Sequence, residues 1–158
     1  MAIYSPEAQR LLMMNDSSEA VVNGDGSLST PADMQAQWSW RKWERFTVVD
    51  GGDNMIALHS DHHNRFLRMT TDGAVNGHGG LCDVIRLPPF EVWGAERFHV
   101  LDCGGGLIAL HAPCANRFLR LTREGSVDGH AGHRAYGDFP SDWVLEKLQV
   151  VRPLAEAK

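Results

Sequence analysis

The sequence predicts an all-β fold made of three repeated units. The pentapeptide NRFLR at residues 64–68 returns unchanged at 116–120. Short apolar runs alternate with polar residues, and sixteen glycines separate them, which is typical of strands joined by turns. Apart from one short segment at 32–40, no window has a convincing helical period. Three four-stranded units of this size predict a β-trefoil with pseudo-threefold symmetry, in which six strands close a barrel and three hairpins cap it.

The repeat extends on both sides of NRFLR at the same offset, 116 − 64 = 52 residues. The further matches between the second and third units are IALH at 56–59 and 108–111, GAVNGH and GSVDGH at 73–78 and 125–130, and ERFTV and ERFHV at 44–48 and 96–100. A weaker copy opens the chain, with AIYS at 2–5 matching ALHS at 57–60, RLL at 10–12 matching RFL at 65–67, and VNG at 22–24 matching VNG at 75–77. We therefore expect one domain over residues 1–150, with units at about 2–50, 51–102 and 103–150, and a tail over 151–158.

Each unit is predicted to contain four strands, which gives twelve in all. In the second unit, IALH at 56–59 alternates as a half-buried strand does, and RFLRMT at 65–70 forms the next strand. The hairpin turn is Thr71-Asp72-Gly73, and residues 74–75 form a brief third strand that ends in a Gly-rich loop. Residues 98–100 alternate again as the fourth strand. A three-bladed propeller is the competing all-β architecture, but propellers usually need at least four blades.

The ends of the chain are expected to meet. The segment 143–145 is predicted to be the last strand, in the position that 98–100 takes in the preceding unit. The terminal strands should then lie side by side and close the barrel. Six apolar residues of the repeat are predicted to fill three equivalent parts of one core: Leu11, Leu12, Phe66, Leu67, Phe118 and Leu119.

Composition narrows the function classes. The net charge of −5 and the pI of about 5.9 disfavour nucleic acid and anionic membranes, which select basic patches. No apolar run approaches the roughly 20 residues that cross a bilayer, and the N-terminal segment lacks the features of a signal peptide. The three cysteines are odd in number and fit no metal spacing, which predicts reduced thiols in a cytoplasmic protein. No cofactor is predicted.

Several segments resemble the fascin-like β-trefoil family. They are WERFTVVD at 43–50, IALHS at 56–60 and NRFL at 64–67, while SDWVL at 141–145 is similar to plant members of the actin-cross-linking type. The resemblance implies actin bundling as in some members, histidine-dependent actin and membrane binding as in others, or sugar binding as in trefoils attached to bacterial glycosidases. The chain departs from the family because it holds one trefoil where fascin uses several, only eight histidines, and no Gln-x-Trp motif of the ricin type in each repeat.

The Gly-rich loop after the third strand is the main candidate site. It reads NGDG at 23–26, NGHGG at 76–80 and DGHAGH at 128–133. Glycine lets a backbone approach a ligand closely, and Asn, Asp and His offer directional donors and acceptors to hydroxyls. The predicted ligand-binding residues are Asn23, Asp25, Asn76, Gly77, His78, Gly79, Asp128, Gly129, His130 and His133. The alternative interpretation is that Asn-Gly and Asp-Gly simply form good turns.

Two other repeated features are candidate sites. His59 and His111 are predicted to face solvent, because they alternate with the apolar residues of their strands. Arg65 and Arg117 are expected either to clamp a carboxylate or sulfate or to pair with acids along the sheet. No metal site is predicted, because one formed by His59, His62 and His63 would need a carboxylate or thiolate partner at tetrahedral geometry.

These observations predict a binding protein and not an enzyme. No nucleophile elbow, zinc-protease motif, P-loop or paired-carboxylate pattern occurs in the sequence. The favoured partner is a glycan, bound in a lectin-like manner by up to three Gly-rich loops. The alternative partner is F-actin. The acidic pI favours the glycan, because actin is itself acidic, whereas the family resemblance favours actin. The oligomeric state is left open.

Overall fold

The structure is a computed structural model that describes residues 1–17, 20–22 (backbone only) and 28–154. These residues form fourteen strands: β1 (Ala2–Ser5), β2 (Arg10–Met14), β3 (Ala20–Val22), β4 (Thr47–Gly52), β5 (Met55–Ser60), β6 (Arg65–Phe66), β7 (Arg68–Met69), β8 (Val75–Asn76), β9 (Phe98–Gly104), β10 (Leu107–Ala112), β11 (Arg117–Phe118), β12 (Arg120–Leu121), β13 (Val127–Asp128) and β14 (Leu148–Val151). The described helices are α1 (Pro31–Ala36), α2 (Phe90–Trp93) and the 3₁₀ turn Gly94–Glu96.

The fourteen strands correspond to the twelve that the repeat predicts. Strands β6 and β7 are separated by Leu67 alone, and β11 and β12 by Leu119 alone. The N–H of Leu67 donates to the carbonyl of Leu58 at 2.9 Å, and that of Leu119 donates to Leu110 at 2.9 Å. Each pair is therefore one bent strand, which leaves its barrel partner at the leucine and pairs onward with a cap strand.

The barrel is closed by the two ends of the chain. The sheet runs β3-β2-β1-β14-β10-β9-β5-β4, and its pairs are antiparallel. Strand β1 lies beside β14, with Ala2 opposite Val151, so the predicted adjacency of the terminal strands is confirmed. The circuit then closes between Met1 and Phe46, which exchange two backbone bonds of 2.7 and 2.8 Å.

The predicted last strand is wrong by several residues. Trp143 belongs to a turn in which its N–H donates to Pro140 at 3.2 Å, and the strand is β14. The correct repeat match is EKL at 146–148 with ERF at 96–98, because the buried apolar residue must enter the barrel at this point. The strand ends at Val151, the first residue of the expected tail.

The short helical segment that the sequence indicates near 32–40 is α1. Thr30 caps it: the side chain accepts from the N–H of Asp33 at 3.1 Å, and the Asp33 carboxylate accepts from the N–H of Thr30 at 3.0 Å. Pro31 supplies the first helical position, where its missing N–H costs nothing. Helix α2 was not predicted, since four residues are too few to show a helical period.

The core contains four sets of three residues at equivalent positions of the repeat, all at most 2% exposed: Ile3, Leu58 and Leu110; Leu12, Leu67 and Leu119; Met14, Met69 and Leu121; Phe46, Phe98 and Leu148. The core prediction is therefore confirmed for the leucines at 12, 67 and 119. Their neighbours are also buried but pack elsewhere: Leu11 contacts a separate cluster with Tyr4, and Phe66 and Phe118 lie against histidines.

Candidate functional site

His59 and His111 are buried, which corrects the prediction that they face solvent. They are 2% and 3% exposed. Nε2 of His59 donates to the carbonyl of Cys82 at 2.9 Å, and Nε2 of His111 donates to that of Arg134 at 2.8 Å. The alternation of apolar residues predicts that these rings lie on the outer face of the strands. A loop from further along the chain covers that face and buries them. Each imidazole therefore anchors a loop.

The asparagines of NRFLR bind the N–H groups of the same loop residues, Cys82 and Arg134. Asn64 and Asn116 have φ = +53°, a left-handed conformation that asparagine tolerates better than most residues. Their carbonyls accept from the N–H of Cys82 at 2.9 Å and of Arg134 at 2.8 Å. Gln9, with φ = +55°, does the same in the first unit. The turn and the loop are thus one repeated device.

The first arginine of NRFLR binds the backbone of the Gly-rich loop. Nη1 of Arg65 donates to the carbonyl of Gly77 at 3.2 Å, and Nη1 of Arg117 donates to that of Gly129 at 3.0 Å. We expected these arginines to clamp an anion or to pair with acids. The structure shows them bonded instead to the backbone carbonyls of two buried glycines.

The second arginine binds the side chain at the head of the loop. Nε of Arg68 donates to Oδ1 of Asn76 at 2.7 Å, and Nε of Arg120 donates to Oδ1 of Asp128 at 2.5 Å. These oxygens also accept the N–H two residues onward, each at 3.0 Å. Asn76 and Asp128, predicted as ligand contacts, therefore use Oδ1 to shape the loop.

Packing also explains the glycines of the loops. Gly77 and Gly129, predicted as ligand contacts, are buried within the loops. A Cβ at Gly129 would lie 2.7 Å from Sδ of Met69, and one at Gly79 would lie 2.6 Å from Oε2 of Glu96. A larger residue at either position would therefore have to displace the end of the Met69 or the Glu96 side chain.

Among the predicted site residues that the structure describes, the exposed side chains are three imidazoles: His78, His130 and His133. Nδ1 of His130 lies 3.6 Å from Oδ2 of Asp128. Nε2 of His133 lies 3.1 Å from Nη2 of Arg117. Asn23 and Asp25, the first-unit candidates, lie outside the described residues. The loops therefore present imidazoles on a frame that arginines hold.

Three buried glutamates at equivalent positions of the three units were not predicted. Glu44, Glu96 and Glu146 are 9%, 3% and 4% exposed. Burial raises the pKa of each carboxyl, and neighbouring arginines oppose the rise: Arg41 and Arg45 beside Glu44, Arg68 and Arg97 beside Glu96, and Arg120 beside Glu146. The signal was in the sequence, since Glu recurs two residues before Phe46, Phe98 and Leu148. Arg68 and Arg120 thus serve the loop and a buried carboxyl together.

The described residues contain neither a candidate metal site nor a candidate membrane-spanning helix. Residues 1–17, 20–22 and 28–154 contain no group of three metal-ligating side chains. Within the same ranges, no helix has the length and apolar character that a membrane span needs.

The comparisons with known proteins agree with the fold. Neither a family model nor a curated protein sequence matches the chain. Among solved structures, the cytolethal distending toxin of Haemophilus ducreyi is similar at a TM-score of 0.63 and 11% identity, over 100% of this chain and 86% of that one. The designed 3-fold symmetric protein ThreeFoil is similar at a TM-score of 0.61 and 18% identity, over 96% of both chains. At such identities the likeness shows the fold alone: the chain is an all-β trefoil.

Proposed function

We propose that this trefoil is a non-catalytic, lectin-like module that binds carbohydrate through its Gly-rich loops. One observation carries the proposal. His78 and His130 occupy equivalent positions of the repeat, and both side chains are exposed. Packing of the core therefore does not explain why histidine recurs there. The repeat explains the buried parts of the two loops through packing and arginine bonds, but it does not explain a solvent-facing imidazole in each.

The chemistry of these loops suits hydroxyl groups. A neutral imidazole offers one donor and one acceptor, which is the pair that a sugar hydroxyl can use. The arginines at 65, 68, 117 and 120 hold the loops in one shape, so binding costs little ordering entropy. Two such loops on one rigid domain would give two weak sites, and a surface carrying many glycans would bind both at once.

The test is removal of the imidazoles. His78→Ala and His130→Ala should each remove one site in calorimetric titration with methyl hexopyranosides and lactose. Stability should change by less than about 0.5 kcal/mol, as is usual for exposed side chains. On a dense glycan surface, the double variant should lose more avidity than the two single variants combined. His62→Ala is the matched control, since His62 is exposed on a different loop.

Failure of every sugar to bind the wild-type chain, on an array and in titration, would refute the proposal. Sedimentation with F-actin at low salt is run in parallel. It tests the alternative that the fascin-like resemblance supports. Co-sedimentation without glycan binding would favour actin.

A further inference from the structure

A cleft of about 310 Å³ opens on the third unit, and none of the loop residues proposed above lines it. It lies between strand β9 and the loop that follows the last Gly-rich segment. Its walls include Asp102, Cys103, Tyr136, Phe139 and Lys147. The volume is at the lower end of the range of ligand pockets, about 300–1,000 Å³.

The aromatic wall of the cleft is held in place before any ligand arrives. The hydroxyl of Tyr136 donates to the carbonyl of Val100 at 3.1 Å, and its ring lies 5.2 Å from that of His99. Tyr136 is still 40% exposed. Phe139 lies 4.8 Å from Phe118. A fixed and partly exposed aromatic ring is a surface on which a flat apolar ligand face can stack.

The polar wall of the cleft has spare hydrogen-bonding capacity of both kinds. Oδ1 of Asp102 accepts the N–H of Gly104 at 2.9 Å, and its second oxygen has no partner among the bonds that the described residues make. Nζ of Lys147 donates to the carbonyl of Ser141 at 2.8 Å, which leaves two further N–H groups. Both charges act on the thiol of Cys103: burial raises its pKa, Lys147 opposes the rise and Asp102 adds to it.

The second unit shares the aspartate of this cleft but has neither a free cation nor an aromatic ring there. Asp50 stands where Asp102 does and accepts the N–H of Gly52 in the same way, at 2.9 Å. The counterpart of Lys147 is Arg97, which is buried and donates to the carbonyls of Gly51 at 3.0 Å and Trp93 at 2.9 Å. The counterpart of Tyr136 is Val84. In the second unit the cation is occupied by backbone carbonyls and the aromatic ring is absent. In the third unit both the cation and the ring are available to a ligand.

We propose that this cleft is a separate subsite for one neutral hexopyranose, with the apolar face of the sugar on Tyr136 and two adjacent hydroxyls shared between Asp102 and Lys147. A carboxylate accepts from one hydroxyl while an ammonium donates to the next, and their opposite charges favour a neutral ligand. The inference rests on carbohydrate binding as proposed above, but it concerns different residues.

The experiment measures binding and site occupancy separately. The probes are the methyl glycosides of glucose, galactose and mannose, and lactose. Tyr136→Ala should weaken the binding of the preferred probe about tenfold, which is about 1.4 kcal/mol. Tyr136→Phe should retain most of the affinity, because the ring remains. Asp102→Asn should weaken binding several-fold, while Asp50→Asn, the matched change in the second unit, should not.

Occupancy is read from the cysteine in the wall. In a variant with Cys82→Ser and Cys114→Ser, Cys103 is the remaining thiol, and saturating sugar should slow its reaction with a maleimide. If sugar binds while Cys103 stays unprotected and Tyr136→Ala has no effect, the cleft proposal is wrong and the loop proposal stands. If sugar protects Cys103 but His78→Ala and His130→Ala are silent, the cleft proposal stands and the loop proposal is wrong. If no probe binds the wild-type chain, both are wrong.

Discussion

The second and third units share one scaffold but treat their buried histidine differently. In the second unit, Nδ1 of His59 lies 2.6 Å from Oδ1 of Asp61, and the other oxygen of that carboxylate accepts from Thr47 at 2.7 Å. In the third unit, Pro113 replaces the aspartate, and Nδ1 of His111 is buried without a partner among the described residues. Only the Nε2 bond anchors the loop, and both units keep it. The partner of Nδ1 differs between the units.

At the Gly-rich loop it is the third unit, and not the second, that has the carboxylate. The second unit places a neutral Asn76 against Arg68, and the third places a charged Asp128 against Arg120. An ion pair replaces a neutral bond without changing the shape of the loop. Pseudo-symmetry thus fixes where hydrogen bonds lie, and each unit sets its own charges.

The largest expected difference is between the two loop arginines. Arg120→Met should cost about 3–5 kcal/mol, because it leaves buried Asp128 and Glu146 without their cation. Arg68→Met should cost less, about 2 kcal/mol, because its partner in the loop is a neutral amide. Urea unfolding of both variants measures the difference. Equal losses would show that the charge of Asp128 contributes nothing.

Substitution of Asp61 tests the difference between the two buried histidines. Asp61→Ala leaves Nδ1 of His59 without its partner, as in the third unit, and should cost about 1 kcal/mol, since water reaches the exposed carboxylate and weakens the pair. Pro113→Ala is the matched change beside His111 and removes no hydrogen bond. Its loss of stability should be smaller in the same urea titration, and the reverse order would contradict the contrast.

Acid should weaken the fold through His111. Burial holds the pKa of His111 below its ordinary value, so the unfolded chain binds the proton first as the pH falls below about 6.5. Stability should therefore decline from there down to the lowered pKa of the folded state, and half-buried His63, whose pKa is lowered by partial burial, adds to the same trend. Thermal unfolding from pH 8 to pH 5 measures it. Pro113→Asp, which supplies the missing carboxylate, should flatten the decline; an unchanged slope would exclude His111 as its source.

The smallest effect is expected at the buried glutamates. Their folded pKa values are raised, so their contribution is complete below the unfolded pKa and is lost as the pH rises through the folded value. Glu146→Gln and Glu96→Gln mimic the protonated form and should be slightly more stable than the wild-type chain at pH 7. The gain should vanish near pH 4 in the same unfolding assay. Destabilisation at pH 7 by both changes would show that the arginines favour the charged form.

Much of the fold was accessible from the sequence because each unit fills an equivalent third of the barrel. The leucines of NRFLR had to recur, and the offset located them. The last strand was misplaced because Trp143 was matched to a strand, whereas EKL at 146–148 carries the apolar residue that enters the core. A single turn such as α2 leaves no period to detect.

The site was less accessible, because periodicity reports which face a side chain takes and not what later covers it. His59 and His111 were assigned to the outer face, yet a loop some twenty residues on buries them. In the same way, Asn76 and Asp128 appeared free for a ligand until the arginines beside Leu67 and Leu119 were seen to bind them. Those contacts join distant parts of the chain, and spacing within one unit does not report them.

The most direct test of the central claim is an amide chemical-shift titration of the wild-type chain with methyl hexopyranosides and lactose. If the Gly-rich loops bind sugar on a rigid frame, the amides of residues 77–79 and 129–133 should shift with saturation, while those of the barrel strands stay fixed. Shifts that stay absent from both loops at saturating sugar would contradict the claim and leave the loops as turns held by arginine.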